Sequence, residues 1–242
     1  MSFKESVSPV MLHLPLNGKV ILYLGAQMYW RTDQDHGLRH NPFSALIAPR
    51  PIGWIYTYNA DGLPNLAPYS FFNAVSFAPP QVMFSVGPRP QREDIHAKDS
   101  LANVKRTGCF VANLVTFDLR EPMNVTSAEC PSSIDEFVLA GLTMEKAHLV
   151  NAPRVEESPV HFECELVSTI PTKSNKGQDP YVIVLGEVIG VNIDESVITE
   201  GMVDYSKTRP IARMGYRSDY SDTTTLFDMP RPEWPMRKKP ND

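Results

Sequence analysis

Residues 52–86 constrain the fold more than any other part of this chain. Ile52-Gly-Trp-Ile-Tyr-Thr-Tyr58 is rich in the β-branched and aromatic residues that suit a pleated strand. Asn59-Ala-Asp-Gly62 supplies a turn. The chain returns from Asn65 to Ala74, and Gln81-Val-Met-Phe-Ser-Val86 reads as a third strand. In that strand the valines and Phe84 alternate with Met83 and Ser85, so Ser85 faces away from Phe84. A hairpin beside the patch Tyr69-Ser70-Phe71-Phe72-Asn73 makes a floor for a flat, phosphorylated ligand.

Proline usage points the same way. The chain has 22 prolines, where average usage gives about a dozen. Prolines stop helices and cap strand edges, so many turns and short strands are expected. Helical signal is concentrated between residues 94 and 141. Asp99 or Ser100 caps a short helix to Thr107, with Gly108 as its stop. Leu119 to Ala128 reads as helical. Ser133-Ile-Asp-Glu136 has capping-box spacing before a helix that Gly141 ends. Cys109 to Val115 is a buried strand, and Tyr181 to Val191 a long central one. In His161-Phe-Glu-Cys-Glu-Leu166 the alternation predicts a half-buried strand, with His161, Glu163 and Glu165 on a wet face.

A length of 242 residues suits one large domain with extensions. We divide it into an N-terminal extension (1–40), a β domain (41–216) and a proline-rich, basic tail (217–242) whose Trp234 could pack on a partner subunit. The Asn17-Gly18 pair signals a turn before a strand containing Leu22 and Leu24. His36 and His40 have the spacing of two ligands on one helix face, but Gly37 and Pro42 oppose a helix there, so no metal site is assigned. The net charge of −5, with no basic block in the body, argues against nucleic-acid binding. The apolar stretch Val20–Leu24 is five residues, against the ~20 that span a bilayer. No secretory signal is evident, and Asn124-Val-Thr126 reads as a chance sequon. Cys109, Cys130 and Cys164 are odd in number and not spaced as metal ligands, which fits reduced thiols. A cytoplasmic protein without a membrane partner is expected.

Two groups of residues carry candidate chemistry. Lys98-Asp99-Ser100 precedes a helix, whose free N–H groups and dipole favour an anion. Lys98 adds a charge and Ser100 a hydroxyl donor, although spacing alone favours an ordinary N-cap beside a solvated lysine. Trp54 and Tyr69 could offer surface to a flat ring, and Ser70, Asn73 and Ser85 hydrogen bonds. The alternative is that Trp54 is core and Asn73 caps a turn. His148 and His161 are read as structural. No acid–base triad is found, so catalytic side chains are left unassigned.

Pro49-Arg50-Pro51-Ile52-Gly53-Trp54, Asp61-Gly62, Asn65-Leu66-Ala67-Pro68, Ser70-Phe71-Phe72-Asn73, Pro79-Pro80 and Lys98-Asp-Ser-Leu-Ala-Asn103 closely resemble the flavin reductase-like family, the FMN-binding split barrels that include flavoredoxins. The resemblance covers roughly residues 40 to 216. It implies a mainly β fold, a six-stranded Greek-key split barrel with a few short helices, and a homodimer. It implies that Lys98 and Ser100 hold the FMN phosphate. It also implies that the segments from Gly53 to Thr57 and from Ser70 to Asn73 line the flavin. Arg213, in Pro210-Ile-Ala-Arg-Met-Gly-Tyr216, matches a recurrent segment; it could reach the flavin, the opposite subunit or an ordinary salt-bridge partner. The implied activity is that of an NAD(P)H-dependent flavin reductase, hydride passing from NADH or NADPH to flavin N5. A flavoredoxin-like electron carrier is the alternative, and a monooxygenase or electron-transfer protein is a candidate partner. A nicotinamide that stacks transiently on the flavin needs no Gly-x-Gly-x-x-Gly site, and none is present.

Overall fold

The computed structural model describes residues 22–24, 27–88, 98–216, 218–232 and 234. Contacts divide the chain into Met1–Ile47 and Ala48–Asp242. In the first unit, strand Leu22–Leu24 pairs antiparallel with Gln27–Tyr29, and a short helix covers Phe43–Leu46. Residues 33–40 form no helix, and the Trp30 and His36 rings meet edge to face at 5.8 Å. The Asn17-Gly18 turn lies outside the described residues.

The second unit is built on one antiparallel sheet. Its strands are β1 (Gly53–Tyr58), β2 (Pro64–Tyr69), β3 (Phe72–Phe77), β4 (Pro80–Val86), β5 (Cys109–Leu114), β6 (Val160–Pro171) and β7 (Val182–Ile193). The order across the sheet is β2-β1-β5-β6-β7-β4-β3. Strands β2 and β3 sit at opposite edges, yet only Ser70 and Phe71 join them. Laid flat, six interstrand gaps would separate those edges by roughly 29 Å. The step from Tyr69 to Phe72 reaches about 11 Å at most. The sheet must therefore curl on itself, and the broken segment Pro64–Phe77 closes it by pairing with β1 on one side and β4 on the other. Counted as one strand, that segment gives the six-stranded split barrel expected.

Closure creates an interior and an outer layer. Ile55, Tyr69, Val82, Phe84, Val86, Phe110, Ala112, Cys164, Val184 and Val188 fill the barrel. Helix α1 (Asp99–Thr107) adds Leu101 and Val104 to that core. Outside, Trp54, Tyr56, Leu66 and Val111 pack under helices α2 (Arg120–Val125) and α3 (Glu136–Ala140) through Met123 and Phe137. Strand β1 is thus buried on both faces, which explains why its sequence is an almost unbroken apolar run. Gly186 is required on β7: an added Cβ would stand 2.5 Å from Cζ of Phe110.

Three local expectations are corrected. The N-cap of α1 is Lys98, which makes no side-chain capping bond, so neither Asp99 nor Ser100 caps it. The cap of α3 is Asp135, whose carboxylate accepts from the N–H groups of Phe137 and Val138, rather than Ser133. The wet face of β6 is wrong at two of its three residues. His161 and Glu163 are buried beneath the Ala147–Val155 segment, and only Glu165 is exposed. Among the described residues no helix is long and apolar enough to cross a membrane, and no cluster of metal-binding side chains forms. None of the three cysteines forms a disulfide.

Candidate functional site

Helix α1 begins beside edge strand β2, and a cleft opens between them. Its walls carry Asn65 and Tyr69 from β2, Lys98, Asp99 and Ser100 from the helix start, residues 126–130 after α2, and Glu136 from α3. The structure thus brings Lys98, Ser100 and Tyr69 to one cleft. Helix α1 is nine residues long and lacks a side-chain cap, so its first turn presents backbone donors to this cleft.

Ser100 is oriented by Asn65, and through Thr57 by Asn103; neither asparagine had a part in the expected site. The Asn65 amide nitrogen donates to Ser100 Oγ at 2.9 Å and lies 3.4 Å from Thr57 Oγ1. Asn103, one turn along α1, donates to the same Thr57 oxygen at 3.0 Å. Ser100 Oγ is thereby fixed as an acceptor toward Asn65, which leaves its own proton to donate elsewhere. Asn65 and Asn103 lie within segments that resemble the family, but nothing in their spacing marks them as supports. For Asn65, a polar residue inside a strand is the available signal.

Glu136 was read from sequence only as the partner in a cap. It reaches instead across to β2, where Oε2 accepts the Leu66 N–H at 3.3 Å. As an edge strand, β2 has an outward N–H there with no strand to pair with. Burial pushes the Glu136 carboxyl up to about 7, backbone N–H bonds from Leu66 and its own residue oppose the shift, and the Asp99 and Asp135 carboxylates add to it.

The other predicted residues are more dispersed. Trp54 offers no surface to a ring: its side chain is fully buried, and the indole N–H donates to Thr126 Oγ1 at 2.9 Å. Thr57 is fully buried as well, and its hydroxyl serves the Asn65–Asn103 pair. Tyr69 is mostly buried, its ring 5.0 Å from that of Phe84 while it lines the cleft. Ser70 and Ser85 are half-buried near the break in the closing strand, where the Ser85 N–H donates to the Phe71 carbonyl at 2.8 Å. Asn73 is exposed and its side chain accepts from the Ala74 N–H, a local turn contact. Arg213 lies opposite Arg50 in a short antiparallel pairing, stacks over Tyr220 at 4.7 Å and bonds that residue's hydroxyl. It is not among the residues of the Lys98 cleft. His161 is structural, with its ring nitrogens 2.8 Å from the Val155 carbonyl and 3.3 Å from Asn192 Oδ1.

Residues 46–212 match the sequence model of the flavin reductase like domain. The chain belongs to the flavin reductase-like family. An Aquifex aeolicus protein is 42% identical over 171 residues, covering 70% of this chain and 83% of its own length. Among solved structures, nitrilotriacetate monooxygenase component B from Bacillus cereus superposes with a TM-score of 0.77 at 24% identity, covering 85% of this chain and all of that one. The 2-nitrobenzoate 2-nitroreductase NbaA of Pseudomonas fluorescens does so with a TM-score of 0.67 at 27% identity, covering 79% and 89%. This member of the flavin reductase-like family therefore has the split-barrel fold of flavin proteins, and its Lys98 cleft lies within the matched domain.

Proposed function

We propose that this protein binds FMN and acts as an NAD(P)H-dependent flavin reductase. One observation carries the reading: a lysine, a serine hydroxyl with its proton free to donate, and an uncapped helix start converge on one cleft beside Tyr69. These residues fit the phosphate of FMN, which wants a point charge and several directional donors. Lys98, Ser100 and the first turn of α1 hold that phosphate. Asn65 and Thr57 fix the Ser100 hydroxyl. Tyr69, Ser70 and Ser85, at and beside the break in the closing strand, orient the ring, with Asn73 and Arg213 at the periphery. Trp54 contributes only by packing beneath the site. A bound flavin supplies two-electron chemistry, taking a hydride from NADH or NADPH, and the protein's part is to position the ring and leave one face open.

We take the working form to be a cytoplasmic homodimer. Strand β3 is a sheet edge that exposes Val75 and Phe77, the latter 95% accessible, and exposed apolar edges are usually covered. By analogy with the monooxygenase component B of Bacillus cereus, an oxygenase that consumes reduced flavin is a fitting partner.

The test is a pair of titrations. Lys98→Ala should weaken FMN at least ~10-fold, the effect of losing a charged hydrogen bond, and leave riboflavin unchanged because riboflavin has no phosphate. Equal weakening of both flavins refutes the phosphate assignment. Anaerobic NADH or NADPH should then bleach the bound-flavin spectrum; bleaching by a chemical reductant alone would make the protein a carrier of the flavoredoxin kind.

A further inference from the structure

The Lys98 cleft has one feature that a simple anion site would lack: a carboxyl group that no cation among the described residues pairs with. Glu136 lines the same cleft as Lys98 and Ser100. Its carboxyl takes hydrogen bonds only from backbone N–H groups, and no lysine, arginine or histidine forms an ion pair with it among the described residues. Apart from Lys98, the described titratable groups around it add negative charge or none. Asp99 approaches from α1, Asp135 from its own helix, Glu129 and Cys130 from the segment after α2, and the buried Tyr56 hydroxyl from β1. Among the described residues that line the cleft, Lys98 is the one cation.

We propose that Glu136 is a proton-dependent ligand of the phosphate: neutral, it donates its carboxyl proton to a phosphate oxygen, and ionised, it repels the group. The inference rests on reading the cleft as a phosphate site. One carboxyl oxygen is already committed to the Leu66 N–H, which fixes the carboxyl plane against β2. A neutral acid in that position adds a third side-chain donor to those of Lys98 and Ser100. The ionised form would set a carboxylate against a dianion in a partly buried site, where like charges are poorly screened. The burial that pushes the carboxyl up to about 7 keeps the donor form populated near neutrality. An incoming phosphate raises its proton affinity further by the same repulsion. Binding of FMN therefore takes up a proton, whereas riboflavin binding does not.

Calorimetry of FMN binding in buffers of different ionisation enthalpy tests this directly. At pH 7.5 the FMN phosphate is already dianionic, so its own titration contributes little. The wild type should take up roughly 0.7 proton per site, and its FMN affinity should fall at least ~10-fold between pH 6.5 and 8.5, as linkage to one proton requires. Glu136→Gln keeps a neutral donor of the same size. It should bind FMN as tightly as the wild type at pH 6.5, show no proton uptake, and hold that affinity at pH 8.5. Wild-type riboflavin affinity should be flat across the range. Phosphate-dependent FMN binding without proton uptake, or with uptake that survives Glu136→Gln, overturns the role of Glu136 while leaving the cleft assignment intact. If FMN and riboflavin bind alike, or neither binds, the cleft assignment itself fails.

Discussion

Glu163 holds a turn onto the barrel, and its replacement by glutamine should be costly. The side chain is 2% exposed, and its carboxylate accepts three backbone N–H bonds, from His148 at 2.9 Å, Leu149 at 2.6 Å and Val150 at 3.2 Å. Those donors belong to an irregular turn between strands Met144–Lys146 and Pro153–Val155. Burial alone would push the carboxyl up, but the three donors and the nearby His148 pull it down, and the balance lies below the ordinary glutamate value. Glutamine matches the size but replaces one oxygen with an NH2 group that faces donors. At least one N–H is then buried without an acceptor, at about 1–3 kcal/mol, and the remaining bonds weaken from ionic to neutral strength. A total near 3 kcal/mol is expected, or a fall in Tm of about 6–12 °C for a chain of this size. Thermal melts followed by circular dichroism at pH 7.5 and in mild acid would measure it. The folded carboxyl titrates below the unfolded one. Its stabilisation is therefore complete above the unfolded value of about 4.3 and lost as pH falls through the folded value. The gap between wild type and Glu163→Gln should narrow in acid. A variant melting within ~2 °C of wild type at pH 7.5, or a gap unchanged on acidification, would refute the clamp.

Two further substitutions probe the frame. Gly186→Ala places a Cβ 2.5 Å from Phe110 Cζ and 3.3 Å from Cys164 Cβ, so overpacking should cost about 1–3 kcal/mol, partly recovered when combined with Phe110→Leu. Urea unfolding of the single and double variants reads both effects. Asp135→Ala removes the acceptor for the Phe137 and Val138 N–H groups and should cost about 1 kcal/mol, while Ser133→Ala should stay within about 0.5 kcal/mol; a larger loss at Ser133 would restore the capping-box reading.

Much of the barrel was legible because its strands obey local rules. The Asn59–Gly62 turn forms as its residues require: Asn59 Oδ1 accepts from Asp61 and Leu63, and Gly62 takes φ +76°. Helix α1 runs from Asp99 to Thr107 and stops at Gly108 in the left-handed region, as its sequence signals. What escaped was the placement of polar groups. The alternation in β6 correctly divided Phe162, Cys164 and Leu166 from His161, Glu163 and Glu165, yet a period of two assigns faces without saying what covers them. Glu163 is covered because a turn about fifteen residues upstream has three N–H groups to satisfy, a requirement that arises only when the chain folds back.

The same limit explains the candidate site. Sequence resemblance singles out Trp54, Thr57, Ser70 and Lys98 without separating a residue that touches a ligand from one that positions another residue. Once placed in three dimensions, the two kinds come apart. Thr57 and Asn103 lie within matched segments, and both serve Ser100 through a hydroxyl and two amides. Trp54 anchors Thr126, which in turn lines the cleft. Glu136, outside every matched segment, sits in the cleft wall itself. Burial imposes this division of labour. A hydroxyl aimed at an anion keeps one orientation only if its lone pairs are occupied from behind, and that backing must come from strands and helices distant in sequence.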